Sequence, residues 1–262
     1  MTTHALSVSE LAFRYPSAPE PVLRECTFDI PAGQRCVVLG PNGCGKSTLL
    51  SILAGVESPD SGSVQLLSED ASSLHRRAYA RRVALMPQVL APLQGLTARE
   101  LVSQGRYAQV GALGMLRRTK ADDDATMAAL AAVGVERFAD RLVDSLSGGE
   151  RQRVRLALAL RQEAPILLLD EPLAHLDLQH QFELLDVVQD VAEREGLTVV
   201  AVLHELDLAV RWAERILVLH EGRIVADGSP SEIITPGLLA RVFGLDGHLD
   251  GEGRLQVQGS MR

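Results

Sequence analysis

Three short stretches carry the residue types that phosphate chemistry needs. The first, "GPNGCGKST", runs from Gly40 to Thr48 and fits the spacing Gly-x4-Gly-Lys-Ser. Glycines there let backbone N–H groups turn inward around a β-phosphate, and the start of a following helix adds partial positive charge. Gly40, Pro41, Asn42, Gly43, Cys44, Gly45, Lys46, Ser47 and Thr48 are the candidate nucleotide contacts. Lys46 is placed to reach the β- and γ-phosphates, and the Ser47 hydroxyl to ligate Mg2+. The second stretch, "ILLLDEP", ends an apolar run with two carboxylates, Asp170 and Glu171. Burying an unpaired charge is costly, so a strand buried on both faces needs a reason to end this way. Alone, such a pair reads as a helix-capping loop. Beside a phosphate loop, Asp170 is expected to hold Mg2+, directly or through a water. Glu171 is then expected to orient and deprotonate the attacking water.

The third stretch, "LSGGERQRVRLALAL", reads as a helix start. Ser147 is the right residue to cap it, and Glu150 three positions on completes a capping box. Gly148 and Gly149 leave backbone N–H groups open to an approaching anion, which makes a second phosphate site. One γ-phosphate does not need two such sites from one chain. The simplest geometry gives the second site to a neighbour's nucleotide, with two copies head to tail around two ATP molecules. ATP then holds the interface together and hydrolysis weakens it.

These stretches need strands and helices to hold them. Ala5 to Tyr15 and Val22 to Ile30 read as strands joined by the loop "PSAPEP". "QRCVVLG" is a buried strand running into the glycine-rich loop, and "KSTLLSILAGV" a helix ending near Gly55. "SVQLL" and "VALMPQ" are further strands, the latter stopped by Pro87. From there to about Ala164 helical patterns take over, notably "ADDDATMAALAAVGV" with its acidic first turn. Strands resume with "PILLLD", "LTVVAVLH" and a hairpin "RILVLHEGRIVADG" turned at Glu221-Gly222. The alternation predicts an α/β core with a mainly parallel sheet and an inserted helical subdomain. The tail from Asp246 is Gly-rich and weakly patterned, and is expected to be irregular or loosely packed.

Bulk properties bound the rest. The chain has 262 residues, long enough to bury a core without disulfides or metal staples. Its net charge of −8 argues against a general nucleic-acid binder. Cys26, Cys36 and Cys44 form neither a disulfide framework nor a metal-site spacing, which suits a reducing, cytosolic setting. No secretory signal is visible, and no run approaches the roughly 20 apolar residues a spanning helix requires.

Taken in order, these motifs resemble an ATP-binding cassette ATPase over residues 5–245. "GPNGCGKST" is similar to the Walker A loop, "LSGGERQRV" to the signature motif and "ILLLDEP" to Walker B. The resemblance implies further roles. Gln88 in "LMPQ" matches the loop glutamine that senses Mg2+ and contacts membrane subunits. Asp177 in "AHLD" falls in the D-loop position. His204 in "VLHELDLA" matches the switch histidine at the γ-phosphate, and Tyr15 the aromatic that stacks on adenine. Glu171, His204, Gln88 and Lys46 thereby form the expected catalytic set, with Ser47, Gln88 and Asp170 on Mg2+. Leu173 stands where the family usually has Thr, and His175 where a small residue is common. The implied fold is a P-loop NTPase core with an N-terminal antiparallel β subdomain. The implied divisions are a cassette domain over 1–245, with its helical subdomain about 88–164, and a tail over 246–262.

A single cassette without fused membrane spans resembles the separate ATPase subunits of bacterial importers. "GRYAQVGALG" and "EGRIVADGSPSEIITPGLLARVFGLD" resemble the iron-siderophore, haem and cobalamin group, the ferric hydroxamate type most of all. Such a subunit sits at the cytoplasmic face of the plasma (inner) membrane. It pairs with a second copy of itself and with permease subunits, and works indirectly with an extracytoplasmic substrate-binding protein. The permease groove is expected near Gln88 to Thr97, in "VLAPLQG". Alternatives are a haem or cobalamin importer subunit, an exporter subunit, and a cassette ATPase acting on DNA or ribosomes. The last usually carries a coiled-coil insertion or a second fused cassette, neither of which this sequence shows. A lone P-loop switch or kinase leaves the signature unexplained.

Overall fold

The computed structural model describes residues 4–88, 95–115 and 119–261. The expected docking stretch "VLAPLQG" falls, apart from Gly95, outside them. The chain divides into two compact units, one of residues up to Ser73 together with those from Thr198 onward, the other Leu74–Leu197.

The first unit begins with β1 (His4–Phe13), β2 (Leu23–Pro31), β3 (Arg35–Leu39), α1 (Lys46–Leu53), β4 (Ser61–Leu66) and β5 (Glu69–Asp70). Strand β1 pairs antiparallel with both β2 and β4. In β2, Leu23, Cys26, Phe28 and Ile30 are buried while Glu25, Thr27 and Asp29 face out. That is the alternation of a half-buried strand. By contrast β3 is apolar on both faces, with Cys36, Val37, Val38 and Leu39 all buried, as a strand inside a parallel sheet should be. Burial pushes the Cys36 thiol up, so it behaves as a small apolar side chain.

The second unit holds α2 (Arg76–Ala80), β6 (Val83–Met86), α3 (Ala98–Ser103), α4 (Tyr107–Met115), α5 (Lys120–Ala132), α6 (Gly148–Leu160), β7 (Ile166–Asp170) and α7 (Leu178–Glu195). Helices α3 to α6 lie along the chain between β6 and β7. Thr97 with Glu100, Thr119 with Asp122, and Ser147 with Glu150 form capping boxes that start α3, α5 and α6. Each box satisfies two N–H groups that would otherwise lack partners. Helix α4 breaks at Gly111, whose φ of 67° is open to glycine.

Asp122 at the start of α5 also binds Arg106 and Arg161, both almost fully buried. Asp122→Ala is expected to destabilise the chain by about 3 kcal/mol, because two guanidiniums lose their shared counter-charge. A denaturant melt at neutral pH measures it. Hydrogen bonds from Thr119, then the arginines, hold the Asp122 carboxyl below the usual carboxylate range. Its contribution is therefore present at neutral pH and lost only as acid protonates the folded-state carboxylate.

The chain returns to the first unit with β8 (Thr198–Val202), α8 (Leu206–Trp212), β9 (Arg215–His220), β10 (Arg223–Gly228), α9 (Pro230–Ile233), α10 (Pro236–Leu238), β11 (Leu245–Leu249) and β12 (Leu255–Ser260). Strand β3 lies between β8 and β9, parallel to both. Strands β9 and β10 form the expected hairpin, and both turn residues, Glu221 and Gly222, have positive φ, as a tight two-residue hairpin demands.

The tail departs from expectation. It is not irregular: β11 and β12 pair antiparallel from Leu245↔Ser260 to Leu249↔Leu255. The Asp250 carboxylate accepts from the backbone N–H groups of Glu252 and Arg254 and so closes the turn. At Gly247 an added Cβ would lie 2.6 Å from the Gln256 carbonyl oxygen. The glycine there permits close strand approach; it does not mark a break.

Candidate functional site

Each unit carries some of the residues that the sequence singled out. In the first, β3 and β8 run parallel with Val38 opposite Val202, so the loop after β3 and His204 after β8 leave the same edge of that sheet. Ligands of parallel α/β sheets bind at this carboxyl edge. A Cβ at Gly40 would lie 2.0 Å from the Leu219 carbonyl oxygen. The loop thus leaves β3 pressed against β9, and no other residue fits. Gly45 takes a φ of 108° and caps α1 without a side-chain bond, and a helix start favours an anion. Lys46 is buried, and its Nζ donates to the carbonyls of Gly40 (2.8 Å) and Pro41 (3.0 Å). The ammonium folds back across the loop it belongs to. Gly40→Ala is expected to cost the whole loop, with no nucleotide protection against thermal unfolding where the parent chain shows it.

Tyr15 stands two residues past β1. Its ring packs edge-on to Phe13 at 4.9 Å between centroids, and its hydroxyl lies 3.2 Å from the Thr48 hydroxyl. Tyr15 is therefore tied to the phosphate-loop helix and keeps an exposed face. Cys44 is buried in the loop, and burial raises its thiol pKa.

In the second unit β6 and β7 run parallel, with Met86 opposite Leu169. Gln88 and Glu171, two residues past each of these positions, meet: the Gln88 amide donates to the Glu171 carboxylate. Asp170 is buried at the end of β7. Glu171 has a φ of 50°, a left-handed backbone that a non-glycine residue adopts only under outside constraint. His175 is also left-handed, and Leu173 is buried.

Ser147 Oγ accepts from Glu150 N, and the Glu150 carboxylate accepts from Ser147 N at 2.8 Å. The box uses those two N–H groups, and Gly148 and Gly149 begin α6 between them. A Cβ added at Gly148 would meet nothing within 4 Å. Nothing within the unit itself therefore requires glycine at that position. Asp177 caps α7, accepting from His180 N at 2.9 Å.

Two residues here were not picked out by sequence reasoning. The buried Gln152 amide donates to the Pro172 carbonyl, binding α6 to the turn that carries Glu171. His180 pairs with Asp177 and lies against Gly149. The Gln152–Pro172 and His180–Gly149 contacts are tertiary, while His180–Asp177 is local to the start of α7. Only the presence of a long polar side chain on the inner face of α6 hints at the first.

The comparisons agree with one another. A family model described as ABC transporter matches residues 23–174. The ferric enterobactin transport ATP-binding protein FepC of Escherichia coli (strain K12) is 42% identical, over 86% of this chain and 82% of that protein. The hemin import ATP-binding protein HmuV of Nocardia farcinica is 44% identical, over 85% and 75%. The iron(3+)-hydroxamate import ATP-binding protein FhuC of Bacillus subtilis is 34% identical, over 94% and 90%. Among solved structures, an inward-facing transporter of metal-chelate ABC type superposes with a TM-score of 0.83 at 28% identity, covering 97% of both chains. The dimeric cassette MJ0796 gives 0.75 at 28% identity, covering 86% of this chain and 98% of that one.

Proposed function

This chain belongs to the ABC transporter family as an ATP-hydrolysing, ATP-binding subunit, and from that premise we propose that it drives uptake of an iron–siderophore-type chelate through separate permease subunits. Relatives named for ferric enterobactin, an iron(3+)-hydroxamate and hemin fall between 34% and 44% identity. The metal-chelate class as a whole is therefore supported more strongly than any one cargo, the hydroxamate type included. Among the described residues no helix is long and apolar enough to cross a membrane. The chain works from the cytoplasmic face of the membrane, docked on the permease. An extracytoplasmic binding protein delivers the chelate, and nucleic acid plays no part.

The reading assigns each half a task. Gly40 to Thr48 wrap the phosphates, with Lys46 reaching the β- and γ-phosphates. Tyr15 offers its exposed face to the adenine. Glu171 takes the proton of the attacking water, Gln88 positions Glu171, and His204 steadies the γ-phosphate. Among the described residues no cluster of three His, Cys, Asp or Glu could hold a metal alone. The Ser47 hydroxyl, the Gln88 amide oxygen and the Asp170 carboxylate are hard oxygen donors of the kind that share Mg2+ with phosphate oxygens. The metal, when bound, would neutralise charge on those phosphates.

Ser147, Gly148 and Gly149, with Asp177 beside them, serve the nucleotide of a second copy. The observation that carries this is the open space over Gly148. A glycine without a steric reason within its own unit suits an approaching phosphate. Gly148→Val is therefore expected to fold normally yet lose turnover. Mixed with the Lys46→Ala chain, it should recover about a quarter of the parent activity. Half the dimers are then hybrid, and each hybrid has one site with both halves intact. No recovery on mixing means the two halves act within one chain. For the cargo, the test is uptake of labelled ferric siderophore, haemin and cobalamin in cells lacking the chain. Loss of ferric siderophore uptake is expected, and loss of only haemin or cobalamin uptake replaces that assignment.

A further inference from the structure

The starts of α6 and α7 are joined by one side chain. His180 Nδ1 lies 2.6 Å from Asp177 Oδ1, the same oxygen that accepts the His180 backbone N–H. The other side of the ring rests on Gly149. A Cβ built there would lie 2.9 Å from His180 Cδ2 and 3.5 Å from Nε2. Glycine at position 149 thus has a reason that glycine at 148 lacks: it makes room for the imidazole. One turn further along, Arg153 of α6 pairs with Glu183 of α7 at 2.7 Å, so the ring is held in a braced seam. Its side chain remains 45% exposed.

The tautomer follows from the partner. An ionised carboxylate only accepts, so Nδ1 carries the proton in either charge state. Nε2 is then an acceptor when the ring is neutral and a donor when it is charged. It lies 3.5 Å from where a Gly149 Cβ would stand, at the helix start where the reading above seats the partner copy's γ-phosphate. We propose that His180 is a positioning residue of the signature half-site, taking up a proton on Nε2 as the partner's ATP docks and, while keeping it, hydrogen-bonding through that N–H to the phosphate. The inference rests on that two-copy reading.

The charged groups around the ring lie on α6 and α7. Asp177 and Glu183 on α7 are both negative, and hydrogen bonds keep both carboxyls below the usual range. On α6, Glu150 is negative and bonded to Ser147, while Arg153 is spent on Glu183. Neutral imidazole would point a lone pair at the phosphate and repel it.

The test uses full-length Glu171→Gln chain, in which ATP is not consumed, and follows ATP-driven dimerisation between pH 6 and 8 by analytical ultracentrifugation. Dimerisation is expected to weaken about tenfold as the pH rises, about threefold from each of the two half-sites, the size of a largely solvent-screened charge pair. In the double variant with His180→Gln the two pH values should agree within about twofold. Calorimetry in buffers of different ionisation enthalpy supplies a readout that loss of packing does not mimic. The parent should take up more protons per ATP bound than the His180→Gln chain. Equal proton uptake, or superimposable pH profiles, overturns the role of His180 and leaves the two-copy reading standing. Absence of any ATP-driven dimer removes that reading and this inference together.

Discussion

Replacing Glu171 by glutamine is expected to lower ATP turnover by about three orders of magnitude while leaving ATP binding close to that of the parent chain. Glutamine keeps the shape of the side chain, and its amide oxygen can still accept the Gln88 amide hydrogen bond. What it lacks is the basicity to take a proton from water. The chain should consequently accumulate as an ATP-bound dimer. Phosphate release measures the first effect and size-exclusion chromatography with ATP the second. Turnover above about a tenth of the parent rate would falsify the role of Glu171 as base. A companion substitution separates chemistry from strain. The left-handed backbone at Glu171 (φ 50°) costs about 1 kcal/mol for a residue with a Cβ. Glu171→Gly should be as inactive as Glu171→Gln, yet no less stable to denaturant than the parent, because glycine takes this conformation freely.

Lys46→Ala is expected to bring turnover to background, a loss of at least about a hundredfold. Here ATP binding should fall as well. The ammonium is the nearest point charge available to the phosphates from within the loop. Its bonds to the Gly40 and Pro41 carbonyls also close the loop on itself. Arginine is not expected to rescue, since its planar fork does not fit a pocket built for a compact ammonium. Fluorescent-nucleotide titration separates the binding loss from the catalytic loss. An Ala variant that turns over ATP normally removes Gly40 to Thr48 from the nucleotide site.

The local parts of this design were readable before any coordinates. The capping box at Ser147 and Glu150, the hairpin at Glu221-Gly222 and the acidic first turn of α5 each depend on residues a few positions apart. Short-range geometry leaves such features little choice. Family resemblance named Gln88 and Glu171 as separate members of a catalytic set, but not their hydrogen bond, which requires β6 and β7 to be neighbours although they are far apart along the chain. Tyr15 is a similar case. The C-terminal hairpin was missed because its glycines read as breaks. In fact Gly247 admits close approach and Asp250 organises the turn. The positions of Gln152 and His180 depend on which helix starts come together, and spacing along the chain does not encode that.

Glu150 has one more effect. Its carboxylate sits on the leading turn of α6, bonded to the Ser147 N–H, and so dulls the helix's appetite for small anions. Free orthophosphate, abundant in any cell, finds there a field already half neutralised. A triphosphate delivered on the face of another molecule brings several contacts at once and overcomes that resistance. On the two-copy reading, the lone subunit is thereby kept clear of the commonest competitor for the place proposed for its twin's fuel.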